Sequence, residues 1–178
     1  MQEAQPEFSR PLSLDDIEAD GTHVTLEAEA DERQRLADRF DLLSLESLTA
    51  ELLVTRAASG IPVRVFGRLK ARVAQRCVVS LKPVQADIDE RIEVEYGPPV
   101  ADAYAEDISL EEADIEPLTG DRIDLGELVA QHLAVALDPY PRLQDAAPPD
   151  WMTDAEKAED SAADSPFAAL EALRKKRH

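Results

Sequence analysis

The chain has one cysteine, Cys77, three histidines and few aromatic residues, 4% of its composition. A single cysteine excludes an internal disulfide and a cysteine-rich zinc cluster, and His23, His132 and His178 are too scattered to suggest a metal site, so no metal and no cofactor is expected. Scarce aromatics mean that the core must be built from Val, Leu, Ile and Ala. No stretch approaches the roughly 20 apolar residues of a membrane span, and the opening MQEAQPEFSR has no basic stretch followed by an apolar one. The expectation is a soluble cytoplasmic protein with no membrane partner. Also missing are GxSxG, a glycine-rich phosphate loop, HExxH and any supported Cys/His pair, so no enzyme is expected. Paired carboxylates are everywhere in so acidic a chain and single out no acid–base couple.

What the chain has is length for one core and a large excess of acid. Its 178 residues suit a single domain with appendages. Lys+Arg of 19 against Asp+Glu of 38 gives a formal charge of -19. Such a charge repels phosphate backbones and anionic lipid heads at long range and attracts basic partners, while also keeping a small protein soluble. Any nucleic-acid contact would have to be local.

The pattern predicts an α+β fold, an antiparallel meander packed with helices, over residues 1–141. Residues 8–14 suggest a short edge strand and residues 24–30 a better one. Asp31 is placed to cap a helix through Phe40, with Gln34 in the capping-box position. Apolar residues then recur at every second position in Leu48, Ala50, Leu52 and Val54, and again in Val63, Val65, Leu69, Ala71 and Val73. A turn at Ser59-Gly60 would set Val54 opposite Val65 and Ala50 opposite Leu69. A second turn near residues 80–83 would return the chain through Val84, Ala86, Ile88, Ile92, Val94 and Tyr96, with Cys77 facing Val84 as a small core or rim residue.

Residues 97–120 read as an acidic loop. Glu106, Asp107, Glu111, Glu112, Asp114 and Glu116 there are either solvated or a docking surface for a basic partner. Asp124 then caps a helix, with Glu127 at N3, Ile123 and Leu128 as a hydrophobic staple, and an apolar stripe through Leu133 that ends at Asp138-Pro139. His132 lies beside that stripe as a surface or rim residue. Residues 142–164 read as a mobile linker, in which Trp151 either docks on the domain or waits for a partner. Residues 165–178 read as a short amphipathic helix with a basic tail, Arg174, Lys175, Lys176 and Arg177, suited to the helix dipole or to a basic hook.

One cluster of positive charge lies inside the domain. Arg64, Arg68, Lys70, Arg72 and Arg76 share the parity of one strand face, and the expected register sets Arg72 against Asp89, Arg68 against Glu93 and Arg76 against Gln85. Cross-strand pairing is one reading. An RNA-facing patch of Arg68, Lys70, Arg72 and Arg76 is the other.

Three stretches together resemble the YceD family of large ribosomal RNA subunit accumulation proteins: AQRCVVSLKPV at 74–84, IDLGELV through LDPYP at 123–141, and SPFAAL at 165–170. Where many members carry CxRC or CxxC this chain has Ala74 and Cys77, and the later cysteine cluster of some members is absent. The resemblance implies a non-enzymatic role in producing or maintaining large-subunit ribosomal RNA. Its partners would be that RNA or a basic large-subunit ribosomal protein, and one alternative is an acidic escort for such a protein without RNA contact.

Overall fold

The computed structural model describes residues 6–97, 115–118 and 120–146. Along the chain run β1 (Pro11–Ser13), β2 (Thr22–Glu27), α1 (Ala30–Arg39), β3 (Ser44–Arg56), β4 (Val63–Arg76), β5 (Pro83–Gly97), β6 (Ile115–Pro117), β7 (Arg122–Asp124) and α2 (Leu125–Ala136). Strands β2-β3-β4-β5-β6 form one sheet, antiparallel except for the parallel β5–β6 pair, and β1 pairs with β7 separately. The fold is α+β, as the pattern predicted.

Alternation in the long strands decides which face is dry. Leu48, Ala50, Leu52 and Val54 of β3, Val63, Val65, Leu69, Ala71 and Val73 of β4, and Ile92 of β5 are buried with Leu36 of α1 and Leu125, Leu128, Val129 and Leu133 of α2 in one core. Val54 pairs with Val65 and Ala50 with Leu69, the register expected of the first hairpin. Gly67 breaks the apolar alternation of β4 for a steric reason. A Cβ at this position would lie 2.1 Å from the Glu51 carbonyl oxygen and 2.7 Å from a Leu52 methyl.

The second hairpin departs from the expected register by two residues. Arg76 pairs with Pro83 rather than Gln85, Arg72 with Asp87 rather than Asp89, and Arg68 with Arg91 rather than Glu93. The cause is a tighter turn, closed by the Cys77 N–H on the Lys82 carbonyl at 2.9 Å and the Leu81 N–H on the Cys77 carbonyl at 2.9 Å. Leu81 takes the left-handed conformation, φ 60°, that lets so short a loop reverse. Cys77 therefore faces Lys82, not Val84. A slip of two preserves side-chain parity, so the same residues still point inward.

Both helix starts are set by carboxylates. In α1 the N-cap is Glu29 rather than Asp31, and the Glu32 carboxylate, not Gln34, accepts from the Glu29 N–H at 2.8 Å. Arg10 decides among these neighbouring acids by gripping Glu32 with both guanidinium nitrogens, at 2.7 and 2.8 Å. Gln34 bonds Asp38 instead. Asp124 caps α2 as expected, accepting from Gly126 N–H at 3.0 Å and Glu127 N–H at 3.1 Å. It also accepts the Arg10 N–H at 2.7 Å, which ties the N-terminal segment to the helix start.

The acidic stretch is not loop throughout, because Ile115–Pro117 adds a parallel strand beside Glu95–Gly97. Glu106, Asp107, Glu111, Glu112 and Asp114, most of the expected linker with Trp151, and the helix and tail at 165–178 lie outside the described residues.

Candidate functional site

The helices lie on one face of the sheet, leaving the other to carry the charged residues. On β4 the even positions Arg64, Arg68, Lys70 and Arg72 point outward, as do the odd positions Asp87, Asp89, Arg91, Glu93 and Glu95 of β5. Arg64 pairs with Glu95 at 2.6 Å, Arg72 with Asp87 at 2.8 Å, Arg68 diagonally with Asp89 at 3.0 Å, and Arg91 with Glu93 at 2.7 Å. The two-residue slip is what turns Arg68 from a cross-strand partner of Glu93 into a diagonal partner of Asp89. Lys70 sits opposite Asp89 but makes no ion pair among the described residues. These exposed pairs are each worth about 0–1 kcal/mol, yet together they neutralise most of the cationic stripe. Glu116, the one described member of the acidic set, is exposed on β6 opposite Tyr96.

A second locus forms where two distant stretches meet at the end of the sheet. The Val78 N–H donates to the Pro141 carbonyl at 2.9 Å, and the Gln75 side-chain amide donates to the Asp138 carbonyl at 2.9 Å. These bonds dock the segment after α2 onto the β4–β5 turn. Val78, Leu81 and Tyr140 are exposed there, at 46%, 68% and 72%. Arg76, Lys82 and Arg142 are exposed beside them. None of the three makes an ion pair among the described residues.

Beneath the turn, Cys77 is fully buried. Its thiol is pulled down to about 6 by contacts from the Ser80 side chain and then the Ser80, Leu143 and Val79 backbones. The Ser80 N–H to Sγ contact, 3.4 Å, is the firm one. The Ser80 hydroxyl is buried and finds no partner of good hydrogen-bond geometry, so it only leans on the sulfur. The thiol thus sits inside the turn and accepts one of its backbone N–H groups.

Between α2 and the β5–β6 edge lies a groove of about 470 Å³ lined by Val94, Tyr96, Leu118, His132 and Val135 among others. Burial pushes the Tyr96 hydroxyl up to about 12, with the nearby charges of Glu116 and Asp124 adding to the shift. His132 is a rim residue of this groove, partly exposed beside the apolar stripe.

Of the expected cationic residues, Arg68, Lys70, Arg72 and Arg76 therefore share the open face, with Arg76 at its turn end. Lys82, Tyr140 and Arg142 went unmarked in the sequence as site residues. The stretches that contain or adjoin them, SLKPV and LDPYP, stood out; only the docking of Pro141 on Val78 brings them together. Among the described residues no helix is long and apolar enough to cross a membrane.

The architecture is a five-stranded sheet with helices on its inner face and charge arranged over the outer face and one end, beside a separate two-stranded β1–β7 pair. The chain belongs to the YceD family, whose model, described as large ribosomal RNA subunit accumulation protein YceD, matches residues 65–174. That description names an accumulation role and no reaction. No curated protein and no solved structure matches the chain.

Proposed function

We propose that this protein is a non-catalytic cytoplasmic factor that supports accumulation of large-subunit ribosomal RNA by binding a basic large-subunit ribosomal protein, RNA, or both. The observation that carries the reading is the pairing on the open face. Arg64, Arg68, Arg72 and Arg91 are each held by a carboxylate, which leaves a molecule of formal charge -19 whose long-range field favours a basic partner. The acids at 106–116 are the docking surface proposed for that partner. RNA would then be met locally, with Arg174–Arg177 as one candidate and Arg68, Lys70, Arg72 and Arg76 as the other, although Arg68 and Arg72 are already paired with Asp89 and Asp87. A screening length of about 8 Å at physiological salt lets a small cationic patch act apart from distant acids.

Affinity purification with and without RNase tests this directly. Retention of a basic ribosomal protein after RNase, lost on reversing the acids at 106–116 to Lys, is the expected result. Recovery of neither ribosomal protein nor RNA would overturn it.

A further inference from the structure

Strand β2 is an edge of the main sheet, where its neighbour is β3 alone. Along β2 the backbone groups divide by parity. The Ala28 N–H donates to the Leu48 carbonyl at 3.0 Å, and in the unbroken register Leu26, Val24 and Thr22 follow as the residues that exchange bonds with β3. The N–H and C=O groups of His23, Thr25 and Glu27 therefore point off the edge, and among the described residues no hydrogen bond takes them up. Such an open ladder pairs with another chain unless something blocks it. The opposite edge strand, β5, is blocked beyond its short pairing with β6: it starts at Pro83 and carries Glu90, a charge at the inward parity of Ile88 and Ile92. β2 has no proline, no lysine and no bulge, and Thr22, Val24 and Leu26 hold its inward side.

Charge selects the occupant. Between Arg10 and Arg33 the chain has no lysine or arginine. Asp16, Glu18 and Asp20 before the strand and Glu27 and Glu29 at its end are exposed, with no ion pair among the described residues. The Glu18 N–H bonds the Thr22 hydroxyl at 2.9 Å, which holds the first of these groups against the start of the strand. A second copy of the edge would set these acids against one another, whereas lysine and arginine side chains neutralise them. On the outer face His23, Thr25, Glu51, Leu53 and Phe66 line a shallow depression of about 490 Å³. Glu51 lies between Thr25 and Arg68 in the register, but Arg68 is held by Asp89. The Glu51 carboxylate is thus placed to meet a cation that reaches over the small Thr25 side chain. We propose that the β2 edge binds an extended segment of a basic protein as an added strand of the sheet, with lysine or arginine on the outer face toward Glu27 and Glu51 and apolar residues beside Val24 and Leu26. The proposal rests on the reading that this chain binds a basic protein, and gives that partner a site on the folded body apart from the acids at 106–116.

Amide hydrogen exchange and fluorescence anisotropy of the full chain test it, with a labelled peptide of about nine residues alternating lysine with valine as the probe. Saturating peptide should slow exchange at His23, Thr25 and Glu27 by about tenfold or more, and by less at Val24 and Leu26, which are already bonded to β3. N-methylating the peptide backbone keeps its charge and removes its donors, and should weaken binding by about tenfold or more. Thr25→Pro removes an edge donor without touching the bonds to β3, and should have the same effect. Glu51→Gln should weaken binding about threefold. Unchanged exchange at His23, Thr25 and Glu27, or equal affinity for the N-methylated peptide, would overturn the proposal; either decides it even where Thr25→Pro loses its cooperative melt. Loss of peptide binding only on reversing the acids at 106–116 would also overturn it and move the partner there. Dimerisation that protects the same amides without peptide would make a second copy the occupant instead. No peptide binding by the wild type, with a ribosomal protein still retained after RNase, would remove this site and leave the functional reading intact.

Discussion

Glu32 shows how much one carboxylate organises. It receives both arms of Arg10 and the Glu29 N–H, joining the N-terminal segment, the start of α1 and, through the Arg10 backbone, the Asp124 cap of α2. The Arg10 hydrogen bonds hold its carboxyl below the usual value of 4.5, against the opposing pull of burial. A depressed folded-state value contributes stability that is complete above the unfolded value and is lost as pH falls through the folded one. Glu32→Gln should therefore cost about 1–2 kcal/mol at pH 7, a figure discounted for the partial exposure of Arg10, and almost nothing at pH 2. Urea melts at the two pH values check this. An equal loss at both would mean that the ion pair is not the source.

Two elements carry the fold's mechanical consequences. Leu128 and Leu133 of α2 are 5% and 0% exposed against the sheet, so each Leu→Ala change should cost about 2–5 kcal/mol in chemical denaturation. A loss below about 1 kcal/mol at both would mean that the helix does not depend on these contacts. In β4, Gly67→Ala should destabilise by about 1–3 kcal/mol, toward the upper end because the atom its Cβ meets is backbone. Calorimetry showing a neutral or stabilising effect would require β3 to move away at no cost. The alternation in β3 and β4 foretold the first hairpin to the residue. It could not foretell the second register, because shifts of two satisfy the same inward set and the turn chemistry at Leu81 broke the tie.

For the molecule as a whole, net charge and local pairing act in opposite directions. Exposed ion pairs on the open face weaken as salt rises, but a formal charge of -19 repels itself, and salt relieves that repulsion. Because each exposed pair is worth so little, repulsion should dominate and the melting temperature should rise between about 0.02 and 0.3 M NaCl. A fall over that range would mean that the ladder of pairs on β4 and β5 contributes more than its exposure suggests.

By itself the sequence determined the apolar alternation, the Asp124 cap and staple, the acidic surplus and the stretches that resemble the family, since each is a local pattern of residue types. It also showed the cations of β4 on one face, because strand parity needs no third dimension. Tertiary structure alone decided that Arg10 selects Glu32 over its acidic neighbours and that Arg68 leans on Asp89. It also brought Arg142 and Tyr140 to the turn that holds Arg76 and Lys82. These residues lie up to 66 positions apart, and contacts across such separations depend on where the helices and turns return the chain, which local patterns do not specify.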